Sequence, residues 1–172
     1  AFRAHPFLPF LILGVLNNAI PFSLLFIGQT QLGAGLAAIL NALVPFWTVI
    51  AANRLTADEK ISVPKIIGIG LGIVGAAVII GPGAASGLGA PLWAELAVIG
   101  AGISYAFASI YSKTFKGVPP VAIATGQLTG STLIMLPMAF LVHGAFSPAA
   151  ISGAVWSAIL ALALVSTALA YI

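Results

Sequence analysis

The stretch "NALVPFWTVIAANRLTADEKISVPKIIGIGLGIVG", Asn41 to Gly75, sets two apolar runs on either side of a short charged island. Between Asn53 and Val63 lie Arg54, Asp58, Glu59 and Lys60, four of the nine Lys, Arg, Asp and Glu residues in the chain of 172. The rest avoids charge: 61% of residues are hydrophobic, 5% are charged, and mean hydropathy is +1.19. A water-soluble domain of this length has no need of that composition. The island therefore reads as a loop between two membrane crossings.

Crossing a hydrocarbon core of ~30 Å takes about 20 residues of helix. Six apolar runs approach that length: Phe7 to Gly28, Leu32 to Ala52, Pro64 to Gly81, Leu92 to Ser112, Val121 to Val142 and Ala150 to Ile172. They are continuous, not alternating, and in lipid each backbone N–H must find its acceptor within its own segment. The expected fold class is an all-α membrane protein, a polytopic bundle of about six transmembrane helices. The first run is of spanning length, holds the polar Asn17 and Asn18, and is followed at once by another run, so it reads as a span and not as a cleaved signal peptide. The chain has no cysteine, which excludes disulfides and thiolate metal ligands.

Six alternating spans put the N-terminus, the 53–63 loop and the 113–119 loop on one side. All six basic residues, Arg3, Arg54, Lys60, Lys65, Lys113 and Lys116, fall there or at its edge. The opposite loops carry no Lys or Arg, so the basic side is expected to be cytoplasmic, in a bacterial inner membrane. Trp93 and Trp156 lie near span ends, as interfacial aromatics do. A net charge of +3 and a pI near 9.6 do not indicate nucleic acid, because the basic residues are dispersed over membrane-proximal loops without an aromatic platform.

Internal symmetry is the next signal, since many transporters are built from inverted repeats. Setting "LGVLNNAIPF" (Leu13 to Phe22) against "LALVSTALAY" (Leu162 to Tyr171) pairs Asn17-Asn18 with Ser166-Thr167 and Ala19 with Ala168. On the topology above, the first stretch runs outward and the second inward. Such a pair belongs to an architecture that places a binding site near the midplane, between two halves.

From Phe10 to Pro82 the chain shows a polar-interrupted helix, a helix of small residues leading to Pro45, a charged turn with an acidic residue, and "IIGIGLGIVGAAVII". This resembles the latter part of an EamA domain, the repeat unit of the drug/metabolite transporter superfamily. In that family a Glu at the turn precedes a Gly by about nine residues; Glu59 and Gly68 match, and Asp58 is the alternative equivalent. Leu92 to Ile172 then resembles the first three helices of a second repeat. The resemblance implies two parts, 1–82 and 83–172, corresponding to helices three to eight of a ten-helix protein, with two further helices expected at each end. It also implies export of small metabolites such as amino acids or drugs.

Polar residues at membrane depth are the candidates for function. Asn17 and Asn18 sit four and three residues before Pro21; Asn41, Pro45 and Thr48 form a comparable face; Tyr105 shares a face with Ser109, and Gln127 with Ser131. Amides and hydroxyls offer donors and acceptors to a zwitterion without a fixed charge. The competing reading is that each hydrogen-bonds between helices. Trp47 lies well inside its run and suits either a cavity wall or buried packing. Pro21, Pro45 and Pro137 are candidate kinks.

Glu95, three residues into an apolar run on the outer side, is a candidate for proton coupling or, more simply, an interfacial anchor beside Trp93. "GLGIVG" (Gly70 to Gly75) has the GxGxxG form but follows no strand, so it does not indicate a nucleotide. Gly68, Gly72 and Ala76, and likewise Gly100, Ser104, Ala108 and Ser112, read as small-residue stripes for close helix packing. His5 and His143 lie at span ends and too far apart in sequence to suggest a metal site; neither metal nor cofactor is expected. A catalytic Ser–His or Asp pair at depth is not visible, so an enzyme is not expected. The expected partners are the lipid bilayer and a small polar metabolite, and the fold is compatible with an oligomer. A non-transporting structural or assembly subunit is the alternative.

Overall fold

The computed structural model describes residues 7–56, 59–80, 89–144 and 151–168. Among them every regular element is helical. The order is α1 (Leu8–Gly14), a π-helical turn π1 (Val15–Ala19), α2 (Ile20–Gln29), α3 (Ala34–Asn41), α4 (Val44–Leu55), α5 (Val63–Ile80), α6 (Leu92–Ser112), α7 (Pro120–His143), α8 (Gly153–Ala161) and a second π-helical turn π2 (Leu162–Ala168).

Among the described residues, four helical stretches are long and apolar enough to cross a membrane: Leu8–Gln29, Ala34–Leu55, Leu92–Ser112 and Pro120–Val142. The third and sixth expected spans are represented by shorter apolar helices, Val63–Ile79 and Gly153–Val165. The rest of the sixth expected span, with residues 145–150 and 169–172, lies outside the described residues. The chain is an all-α polytopic membrane protein.

Two of the three prolines act on their helices as proline should. Proline has no N–H and cannot bond the carbonyl four residues back. Pro21 thus deprives Asn17, and the backbone there adopts the wider π turn. Pro45 deprives Asn41, and the second span is broken between α3 and α4 at Ala42 and Leu43. Pro137, by contrast, sits inside the uninterrupted α7.

The chain packs as two units. Residues 15–114 form one, organised around α6, which lies against α2, α3, α4 and π1. Its core is made of Leu32, Ala37, Ala94 and Val98. Close approach of α2 to α6 depends on Gly28: a methyl there would stand 2.8 Å from Val98 Cγ2 and 2.9 Å from the Ala94 carbonyl oxygen. The stripe Gly100, Ser104, Ala108 and Ser112 is used in part: Ser104 and Ala108 are buried and Gly100 lies beside Leu24, while Ser112 is exposed and donates to the Ser109 carbonyl at 2.7 Å. Gly68 and Gly72 on α5 are different, since a methyl on either would meet nothing within 4 Å. The expected helix contact at that stripe is therefore not made among the described residues.

Residues 1–14 and 115–172 form the other unit. Here α1 lies on α7, and Gly14 sits so close that a methyl on it would be 2.5 Å from the Gln127 carbonyl oxygen. Phe10 stacks at 5.1 Å from Phe115, and Ser152 caps α8 by accepting from the Val155 N–H at 3.4 Å. The expected division at residues 82–83 lies outside the described residues, within the sequence range of the α6 unit.

The charged island is a built loop. Lys60 Nζ donates to the carbonyls of Asn53 and Thr56, both at 3.2 Å, where the end of α4 leaves carbonyls open. Asn53 Oδ1 accepts from the Ile61 N–H at 3.1 Å. Glu59 pairs with Lys113, just past α6, at 2.7 Å. Asp58 lies outside the described residues. Outward-facing side chains such as Val78, Ile79 and Leu141 are large and apolar, which suits a lipid environment.

Candidate functional site

In the α6 unit the polar residues gather around π1. A π turn pairs each N–H with the carbonyl five residues back, which widens the backbone and disturbs the neighbouring α-helical bonds. The Leu16 carbonyl is taken up by the Ser104 hydroxyl of α6, which donates to it at 2.7 Å. Asn18 is 3% exposed, Ser104 is buried, and Asn17 and Tyr105 are half-buried. Asn17, Asn18 and Tyr105 each make further polar or ring interactions. The region is thus a set of amides and hydroxyls held on an interrupted helix in apolar surroundings.

The other expected site residues of this unit are placed less uniformly. Asn41 is exposed at the end of α3. Ser109 is also exposed, and its hydroxyl donates back to the Tyr105 carbonyl at 3.0 Å. Thr48 does the same toward Val44 at 2.9 Å. Trp47 is half-buried with its ring against Gly102, where a methyl would be 3.1 Å from Cδ1. Its Nε1 is buried and finds no hydrogen-bond acceptor among the described residues. Phe46 meets the indole edge-on at 5.2 Å.

Gln127 and Ser131 belong to the other unit, on the face of α7 that receives α1. They are 3% and 7% exposed, and the Ser131 hydroxyl donates to the Leu128 carbonyl at 3.0 Å. Both also make further interactions.

Glu95 lies half-buried in the first turn of α6, where a carboxylate is favoured by the N–H groups of the helix end. Among the described residues no three His, Asp or Glu side chains come together as metal ligands.

Among the grooves on the α6 unit, two bear on the expected site residues. One, of about 510 Å³, is lined by Pro45, Glu59, Lys65, Gly68 and Gly72 among others. The second, of about 410 Å³, runs between Trp47 and Phe107 with Arg54 as its charged residue. Sequence reading reached Ser104 only as a packing residue. Its part in holding π1 lacks a local signal, because the acceptor is a backbone atom far away in the chain.

No curated protein and no solved structure gives a significant match to this chain. A family does: residues 2–81 match the model of the EamA-like transporter family. That segment covers the charged turn, Glu59 and Gly68, on which the resemblance rests. Residues 2–81 of this polytopic membrane protein, a little under half of the chain, are thus similar to the EamA-like transporter family, whose members are membrane transporters of the drug/metabolite superfamily.

Proposed function

We propose that the chain is part of a secondary transporter of the cell membrane, in a bacterium its inner membrane, that exports small polar metabolites such as amino acids or drugs. One observation carries the reading: uncharged polar side chains, Asn17 and Asn18 on π1 and Ser104 bonded to it from α6, are concentrated at an interrupted helix in the middle of a span. Such a set orients a zwitterion by hydrogen bonds where water is scarce. Within this reading Asn41, Trp47, Ser109, Gln127 and Ser131 are further contacts, and the basic loops face the cytoplasm. Residues 1–82 and 83–172 belong to successive repeats that rock against each other about a central site. Glu95 is the acid that a coupled proton would use.

Counterflow with the reconstituted protein tests this, using a panel of amino acids with and without a pH gradient. Saturable uptake of at least one is expected. Absence of saturable flux for every member of the panel would favour the structural-subunit alternative. If Glu95 couples protons, E95Q keeps exchange and loses the response to the gradient.

A further inference from the structure

The two stretches that pair in the sequence both adopt π-helical turns. Aligning Leu13 with Leu162 sets Val15–Ala19 on Leu164–Ala168, and these are π1 and the latter part of π2. The alignment uses the sequence alone, and the backbone geometry is a separate observation that overlaps it. Short π turns are uncommon and tend to occur where a helix has a task beyond packing.

Further features at π1 point to movement. Pro21 removes a donor, so the turn is held with fewer backbone bonds than an α-helix. The Leu16 carbonyl accepts a hydrogen bond from a side chain of another helix, Ser104 Oγ, at 2.7 Å. At π2 the sequence has Ala170 where the first copy has Pro21, so the second turn forms without a proline in that position.

We propose that π1 and π2 are equivalent joints, one in each repeat, at which their spans bend, and that Ser104 is a positioning residue that latches the first joint. As a part of transport this rests on the alternating-access reading above. As a property of the helices it does not, and the tests need neither substrate nor flux.

The absence of cysteine makes spin labelling direct. Labels at Leu8 and Ile27, both exposed, flank π1, and labels at Leu92 and Ser112 span the uninterrupted α6 as a control. At 1.5 Å per residue both pairs stand about 30 Å apart, within range of pulsed dipolar measurement. The flanking pair is expected to give a broad or two-peaked distance distribution and the control a single narrow one. Deleting Val15, which returns the turn to α-helical register, or replacing Pro21→Ala should narrow the first distribution to that of the control. A flanking pair as narrow as the control in the wild-type protein would overturn the joint.

Hydrogen exchange in detergent micelles tests the equivalence. Peptides covering 15–19 and 162–168 should exchange about tenfold faster than the middle of α6, as locally opening segments do. S104A should accelerate the first and leave the second unchanged. Protection of either segment equal to that of α6 would contradict paired joints.

Discussion

The hydroxyl of Ser104 donates a 2.7 Å hydrogen bond to the backbone carbonyl of Leu16, 88 positions earlier in the chain. It joins the small-residue stripe of α6 to the π turn of the first span. A hydroxyl used this way satisfies a carbonyl that lipid cannot. In S104A that carbonyl is left without the bond, and a cost of roughly 0.6–1.7 kcal/mol is expected on the scale of interhelical hydrogen bonds in membranes. Unfolding in mixed detergent micelles measures it, and an unchanged midpoint would mean the bond contributes nothing net.

The glycines of α2 and α5 should respond in opposite ways. G28A drives a methyl into Val98 and the Ala94 carbonyl, and overpacking of this kind costs about 1–3 kcal/mol. G72A adds a methyl in open space and should be neutral, or stabilising by up to about 1 kcal/mol through helix propensity. The same unfolding assay reads both. A destabilised G72A would show that another helix, or a second copy, sits in the Gly68–Gly72 groove.

Trp47 separates a packing role from a substrate role. W47F removes a buried N–H that has no acceptor among the described residues, relieving about 1–3 kcal/mol of desolvation while losing a similar amount of packing. Stability should therefore change little. If the indole contacts substrate, counterflow by W47F falls several-fold with the unfolding midpoint unchanged; a parallel loss of both would assign Trp47 to packing.

The Glu59–Lys113 pair should matter little to stability. Its side chains are 41% and 37% exposed, so screening leaves it worth at most ~1 kcal/mol, and less as salt rises. E59Q is expected to shift unfolding by less than about 0.5 kcal/mol at physiological salt. A larger shift would mean the loop it anchors is part of the cooperative core.

The membrane class was legible in composition, and the loop at Asn53–Val63 in its charges, because water and lipid sort residue types strongly. Pro21 and Pro45 marked where the backbone changes, since a missing N–H is a local fact. Whether the change is a π turn, as at Val15–Ala19, or a break, as at Ala42–Leu43, depends on what neighbouring helices offer. Helical spacing showed that Gly68 and Gly72 share a face, as do Gly100 and Ser104. It held no information on which face is covered: α2 and π1 cover the second, while the first opens onto a groove. Among the candidate polar residues, periodicity could not separate the buried Asn18, Gln127 and Ser131 from the exposed Asn41 and Ser109. The Ser104–Leu16 bond was hidden because its acceptor is backbone.

The central claim is that the polar cluster at π1 forms a substrate site reached from at least one side of the membrane, and the chain's lack of cysteine allows a direct measurement. Asn17→Cys, reconstituted in vesicles, would be exposed to a membrane-impermeant thiol reagent from each side in turn. The account predicts modification at a position about 15 Å into the first span, from at least one side, and slowed by a transported substrate. A thiol that stays unmodified from both sides, in protein that is folded and correctly inserted, would place Asn17 in packing and contradict the transporter site.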